Sequence, residues 1–146
     1  MITQWGHIPN AAHIDRVIAS AKANPDQWAV AWTSVWKGQD KGPVTQNTEL
    51  VAAWSTVWDT AYTQGRHAVW SSASSATNEC DYWDPTRVSA RNAAQSAILV
   101  LIAYDDCAYM LDSDPGELAI LAAFGDPRAS LVLAACRAFH SLKTIA

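Results

Sequence analysis

Apolar residues along this chain recur every three or four positions, and no stretch alternates in the way that a half-buried strand does. Several of these periodic segments follow an Asn-Pro or Asp-Pro pair. Asn and Asp side chains accept a hydrogen bond from a free N–H at a helix start, and proline has no N–H to leave unpaired there. The pattern predicts an all-α bundle of about six helices, at about 10–23, 25–37, 48–76, 85–112, 115–124 and 127–143.

The predicted helix 85–112 is the centre of this bundle. Residues 97–104 are apolar on every side, which is typical of a helix that is surrounded by protein. At 1.5 Å per residue the helix would be roughly 40 Å long, which is more than a compact domain of this size buries easily. We therefore expect either a partly exposed first half, which carries Arg87 and Arg91, or a second subunit that covers it.

Composition narrows the class of protein. The 146 residues are 50% hydrophobic and 16% charged, which excludes intrinsic disorder and suits one domain spanning 1–146. The net charge of −4 argues against binding to duplex DNA. All of the excess acidic charge lies in residues 74–146, so partners with basic patches are expected there.

Membrane and secretion signals are absent from the sequence pattern. The longest apolar run covers eight residues, at 97–104, whereas a membrane helix needs about 20. The first residues lack the basic and apolar regions of a signal peptide. We expect no membrane association and a cytoplasmic location, in the host cytoplasm if the protein is viral.

Metal and cofactor motifs are also missing. The three cysteines have no CxxC spacing and the four histidines have no HExxH or HxH spacing. Neither a P-loop nor a GxGxxG is present. We predict no metal and no cofactor, and a non-enzymatic role becomes the better expectation.

Aromatic side chains are the first candidate for chemistry, because the chain has eight tryptophans. Trp54, Trp58 and Tyr62 repeat every four residues and therefore share one side of a helix. Such rings most often fill a core against small residues. Alternatively, some of them line a groove or a subunit contact, where tryptophan stacks on bases and anchors interfaces.

Tyr104, Asp105 and Asp106 form the second candidate, directly after the apolar run. Adjacent aspartates lie about 100° apart around a helix, so they do not form a close acid–base pair. One of them is expected to pair with an arginine or to cap a neighbouring helix, while the other meets solvent. The alternative is a polar pocket floor that receives a ligand amine, a ligand hydroxyl or an arginine from another subunit.

Arginines form the third candidate. Arg66 and Trp70 are four residues apart, as are Arg87 and Arg91. An arginine beside an aromatic ring is a recurrent cradle for phosphates and bases. Both pairs are equally compatible with an ordinary solvated surface.

Residues 89–97 (SARNAAQSA) and 101–107 (LIAYDDC) resemble a group of uncharacterised small Ala/Trp-rich helical proteins of phage genomes. The resemblance covers about a third of the chain. It implies a viral origin and a host- or defence-directed role, and it assigns no functional residue.

Three functions remain open on this basis. The first is a homo-oligomeric binding protein that sequesters a small nucleotide-like ligand, whose base stacks on tryptophan and whose phosphates meet Arg66, Arg87 or Arg91. The second is an inhibitor or adaptor that binds a host protein through an acidic surface. The third is a small enzyme with Asp105 or Asp106 as general base.

Overall fold

The computed structural model describes residues 5–37, 48–77 and 84–145. These ranges contain seven α-helices, a short 3-10 helix and no strand, so the predicted all-α bundle is confirmed. In chain order the α-helices are α1 (Ala11–Ala23), α2 (Pro25–Lys37), α3 (Thr48–Thr63), α4 (His67–Thr77), α5 (Pro85–Ala103), α6 (Pro115–Ala123) and α7 (Pro127–Ile145). The 3-10 helix, Ala108–Asp112, lies between α5 and α6.

The proline-based helix starts are confirmed at all four positions, because α2, α5, α6 and α7 each begin at the proline of the pair. Asp84 and Asp114 accept hydrogen bonds from the backbone N–H groups of Thr86 and Glu117, at 3.0 and 3.1 Å. These bonds satisfy donors that have no partner inside a helix. Asn24 behaves differently, since its side-chain amide donates to the Ser20 carbonyl at the end of α1.

The single helix predicted over 48–76 is wrong, because the chain breaks it into α3 and α4 at Gly65. Gly65 has a φ of +73°, in the left-handed region that only glycine adopts without strain. The N–H of Gly65 bonds to the Tyr62 carbonyl and that of Arg66 to the Ala61 carbonyl, both at 2.9 Å. This pair of bonds is the usual glycine-terminated helix end.

The long helix predicted over 85–112 is also wrong, because α5 ends at Ala103. Tyr104 is extended, with φ −130° and ψ 119°, and the chain then turns into the 3-10 helix. At 1.5 Å per residue, the 19 residues of α5 span roughly 28 Å. The argument for a second subunit from excess helix length therefore no longer applies.

Asn10 supplies the physical reason for this early end. Its buried side-chain amide donates to the carbonyls of Leu101 and Tyr104, at 2.9 and 2.8 Å. The last carbonyls of a helix lack internal partners, so a buried end is stable only if something else bonds to them. Asn10 directly precedes α1, and its side chain makes no cap bond to that helix.

The core is built around α5, which packs against α1, α2, α3, α4 and α7. Every residue of the run from Ser96 to Ala103 is buried. Tryptophan fills much of the remaining space: Trp28 is fully enclosed, meets the Phe139 ring edge-on at 5.2 Å, and donates its indole N–H to Ser20 at 2.9 Å. Among the six tryptophans whose side chains are described, none is exposed. None of the described helices has the length and apolarity that crossing a membrane requires.

Candidate functional site

A small pocket lies where the end of α1 and the end of α4 meet the first half of α5. We call it the arginine pocket. Its volume is about 30 Å³. Its walls are Ile18, Ala21, Lys22, Pro25, Thr77, Arg87, Val88, Ala90, Arg91 and Ala94. Among these described wall residues three are cationic and none is acidic.

Arg91 is the unusual residue of this pocket. Its Nε is buried, and no hydrogen-bond acceptor lies within reach of it among the described residues. A guanidinium carries five N–H donors and no acceptor, so each buried N–H needs an oxygen opposite it. Leaving such a donor without a partner costs roughly 1–3 kcal/mol. Arg91 therefore lines the pocket with a guanidinium whose Nε has no partner among the described residues, and a guanidinium is a group that oxyanions bind.

Arg87 and Lys22 add positive charge on two sides of Arg91. Arg87 lies one turn earlier on α5, and its Nε is 3.6 Å from a carboxylate oxygen of Asp84. Lys22 is an exposed residue in the last turn of α1. The intervening walls are mostly aliphatic, and charges interact more strongly beside apolar walls than in bulk water.

Thr77 closes the pocket on the α4 side. Its hydroxyl donates to the Ser74 carbonyl at 2.6 Å and accepts from the Gln95 side-chain amide at 2.9 Å. These bonds fix the end of α4 against α5. They also occupy the hydroxyl, so Thr77 serves as a wall and is not a free nucleophile.

The predicted aromatic stripe lies elsewhere, between α3 and the beginning of α4. The Trp70 ring meets Trp54 and Trp58 edge-on, with centroid distances of 5.4 and 6.3 Å. All three rings are half-buried and pack on the core. Tyr62 is exposed, and its ring lies 5.3 Å from that of His67. The Trp70 ring thus packs against both of the other indole rings.

Arg66 bonds within the protein. One of its terminal nitrogens donates to the Ile102 carbonyl and to a carboxylate oxygen of Asp105, both at 2.8 Å. The Ile102 carbonyl belongs to the last turn of α5, where a cation also offsets the negative end of the helix dipole. Arg66 therefore helps Asn10 to terminate α5.

The Tyr104–Asp106 segment is part of the same helix end. Tyr104 is half-buried; its hydroxyl lies 3.2 Å from the Thr60 hydroxyl, and the Arg128 guanidinium carbon lies 5.4 Å from its ring centre. Asp105 and Asp106 are both exposed. The expectation that one aspartate pairs with an arginine and the other meets solvent agrees with this geometry. The general-base hypothesis expects one of these aspartates in a cleft, and both are exposed.

The ten predicted ligand residues are therefore not gathered at one place. Arg87 and Arg91 lie in the arginine pocket, whereas the remaining eight lie around the Trp54–Trp58–Trp70 cluster and the end of α5. Trp70 and Thr77 are seven residues apart on α4, or roughly 10 Å at 1.5 Å per residue.

Lys22 is a pocket residue that the sequence analysis missed. It follows Ile14 and Ile18 at four-residue spacing on α1, so it continues the apolar stripe of that helix. A lysine at the end of an apolar stripe borders a packed surface. This position is the sequence feature that could have identified Lys22 as a pocket residue.

The two described cysteines, Cys107 and Cys136, are buried in the core. Burial raises the pKa of the Cys107 thiol and raises that of Cys136 to about 11. Both are free thiols, and Cys80 lies outside the described residues. The described ranges contain no cluster of three metal-ligating side chains.

No protein-family model, no curated protein and no solved structure matches the chain.

Proposed function

We propose that this protein is a non-enzymatic helical binding protein that sequesters a small anionic, nucleotide-like ligand in the arginine pocket. The observation that carries the proposal is the buried Nε of Arg91, which has no acceptor among the described residues. Arg91 also lines the pocket, so an oxyanion bound there would meet a guanidinium that no described carboxylate pairs with. The proposal includes a biological role in which this binding acts on the host or on its defences.

Binding is favoured over catalysis by the side chains that line the pocket. The three cationic groups attract an anion, and the Thr77 hydroxyl is already engaged on both its donor and acceptor sides. Phosphate recognition needs positioned N–H donors and nothing more, whereas hydrolysis needs a base or nucleophile within reach of the ligand.

The test is the stability of the Arg91→Met variant without and with adenosine monophosphate. Methionine keeps much of the length and apolar stem but removes the unsatisfied donors. The ligand-free variant is expected to be as stable as the original protein, or more stable by about 1 kcal/mol, because a desolvated donor has gone. A residue that only supports the fold would show the opposite sign.

The second measurement is the free energy of unfolding after the ligand is added. At about 100 times its dissociation constant, a ligand adds roughly 2.7 kcal/mol to the free energy of unfolding of the original protein. Arg91→Met should lose this increment. Arg137→Gln is the matched control, since it removes one positive charge from α7, where Arg137 bonds to Ser34 at 3.0 Å. An equal ligand response in both variants, or none in the original protein, would refute the proposal.

Self-association is a second candidate, and the surface of α6 favours it. Phe124 is 86% exposed, and Ile120 and Leu121 are exposed beside it. A groove lined by small uncharged residues of α3 and of the turn between α6 and α7 adjoins Phe124. Large exposed apolar patches on soluble proteins commonly mark interaction sites.

Light scattering tests this second candidate. We expect a mass above 15.8 kDa for the original chain and a return towards 15.8 kDa for Phe124→Ser. Tyr109→Ser is the control, because Tyr109 is an exposed aromatic residue outside α6. A mass of 15.8 kDa for the unmodified protein at high concentration would count against self-association.

A further inference from the structure

We infer that the arginine pocket recognises the terminal phosphoryl group of a phosphomonoester, and that it reads neither the base nor a cyclic phosphodiester. This inference rests on the proposed function and specifies its ligand. Three independent features of the pocket support it: its size, its uncompensated charge and the chemistry of its walls.

Size limits what enters the pocket. The pocket volume of about 30 Å³ is small, so only a few heavy atoms of a ligand enter it. This is the scale of the terminal oxygens of a phosphoryl group, whereas a purine or pyrimidine ring requires far more space. The anionic end of the ligand enters, and the rest of the molecule remains at the mouth.

Charge selects the kind of anion. Within the described ranges, no carboxylate oxygen lies within 4 Å of Lys22 or Arg91, while Arg87 is offset by Asp84. Among the described residues, the positive charges of Lys22 and Arg91 are therefore left to compensate. A phosphomonoester carries between about −1.5 and −2 at pH 7 and presents three terminal oxygens. A cyclic diester carries a single negative charge and presents two such oxygens, so it satisfies the site less well.

The walls explain why the base is not read. Ile18, Pro25 and Val88 supply aliphatic surface, and no aromatic ring is among the described wall residues. Base recognition relies on stacking or on polar groups that face the ring edges. The Trp54–Trp58–Trp70 cluster lies at the beginning of α4, away from the pocket, and the Trp70 ring packs against the other two. A sugar or a short carbon chain is the moiety that suits the aliphatic mouth.

Calorimetric titration of the full chain with four small probes tests this inference. Adenosine monophosphate and its cyclic counterpart share the base, the sugar and the phosphorus, and differ in the ester. Ribose phosphate lacks the base, and adenosine lacks the phosphate. The monophosphate is expected to bind about tenfold more tightly than the cyclic form, which corresponds to about 1.4 kcal/mol. Ribose phosphate should match the monophosphate within about threefold, and adenosine should not bind.

Each outcome separates the inference from the function on which it rests. Cyclic nucleotide binding that is as tight as monophosphate binding and is lost in Arg91→Met would overturn the inference and leave the proposed function standing. A monophosphate that binds more than about tenfold tighter than ribose phosphate would show that the base is read, and would also overturn it. If no phosphorylated probe binds, or if Arg91→Met and Arg137→Gln bind alike, both the inference and the proposed function fall.

Discussion

Asn10→Ala tests the explanation for the early end of α5 most directly. The substitution removes the amide that bonds to the carbonyls of Leu101 and Tyr104. Each buried polar group that loses its only partner costs roughly 1–3 kcal/mol. The Tyr104 bond is only partly buried, so we expect a total loss of roughly 2–4 kcal/mol. Since Asn10 makes no side-chain cap bond to α1, no capping energy is lost with it.

Two further substitutions make this experiment specific. Asn10→Asp keeps the shape but places carboxylate oxygens opposite carbonyl oxygens, so it should destabilise the protein at least as much as alanine at neutral pH. Asn24→Ala is the matched control, because Asn24 makes one half-buried bond of the same kind, to Ser20 at 3.1 Å. We expect it to cost about 1 kcal/mol.

Urea unfolding followed by tryptophan fluorescence measures these differences. The enclosed Trp28 ring reports the loss of the core. Hydrogen exchange should also show faster exchange at the last turn of α5 in Asn10→Ala. A loss below about 0.5 kcal/mol, within the range of an ordinary surface substitution, would refute the role assigned to Asn10.

Three more predictions concern other parts of the fold. Gly65→Ala should cost about 1 kcal/mol in urea unfolding, since φ is +73° and an added Cβ would meet nothing within 4 Å; an unchanged midpoint would contradict this. A hydrogen bond from Arg16 lowers the pKa of Asp112, so the stability from this pair is present above about pH 4 and is lost as the pH falls through the lowered pKa. Asp112 is exposed, so Asp112→Asn should flatten the acid side of the stability curve by only about 0.2–1 kcal/mol, and an unaltered curve would show that the pair contributes nothing. Burial raises the pKa of Cys136 to about 11, so labelling of Cys136 at pH 8, located by peptide mapping, should follow the unfolding rate, and its reaction upon mixing would disprove this protection.

The helix content and most helix starts follow from signals that lie close together in the sequence. Helix periodicity and the Asp-Pro and Asn-Pro pairs act within a few residues, so they can be read without knowledge of distant contacts. The same locality explains the i, i+4 placement of Arg87 and Arg91, which the structure retains on one side of α5. The left-handed turn at Gly65 was also a local signal, but the apolar pattern on both sides of it outweighed the glycine.

The end of α5 and the pairing of its charged neighbours depend instead on contacts between elements that are distant in sequence. The apolar run before Tyr104 continues a helical pattern, and the helix stops because Asn10 and Arg66, both distant in sequence, bond to its last carbonyls. For the same reason Arg66 proved to be engaged, while the Nε of Arg91 has no acceptor among the described residues. Whether a guanidinium finds an acceptor depends on which elements pack around it, and local sequence carries no record of that.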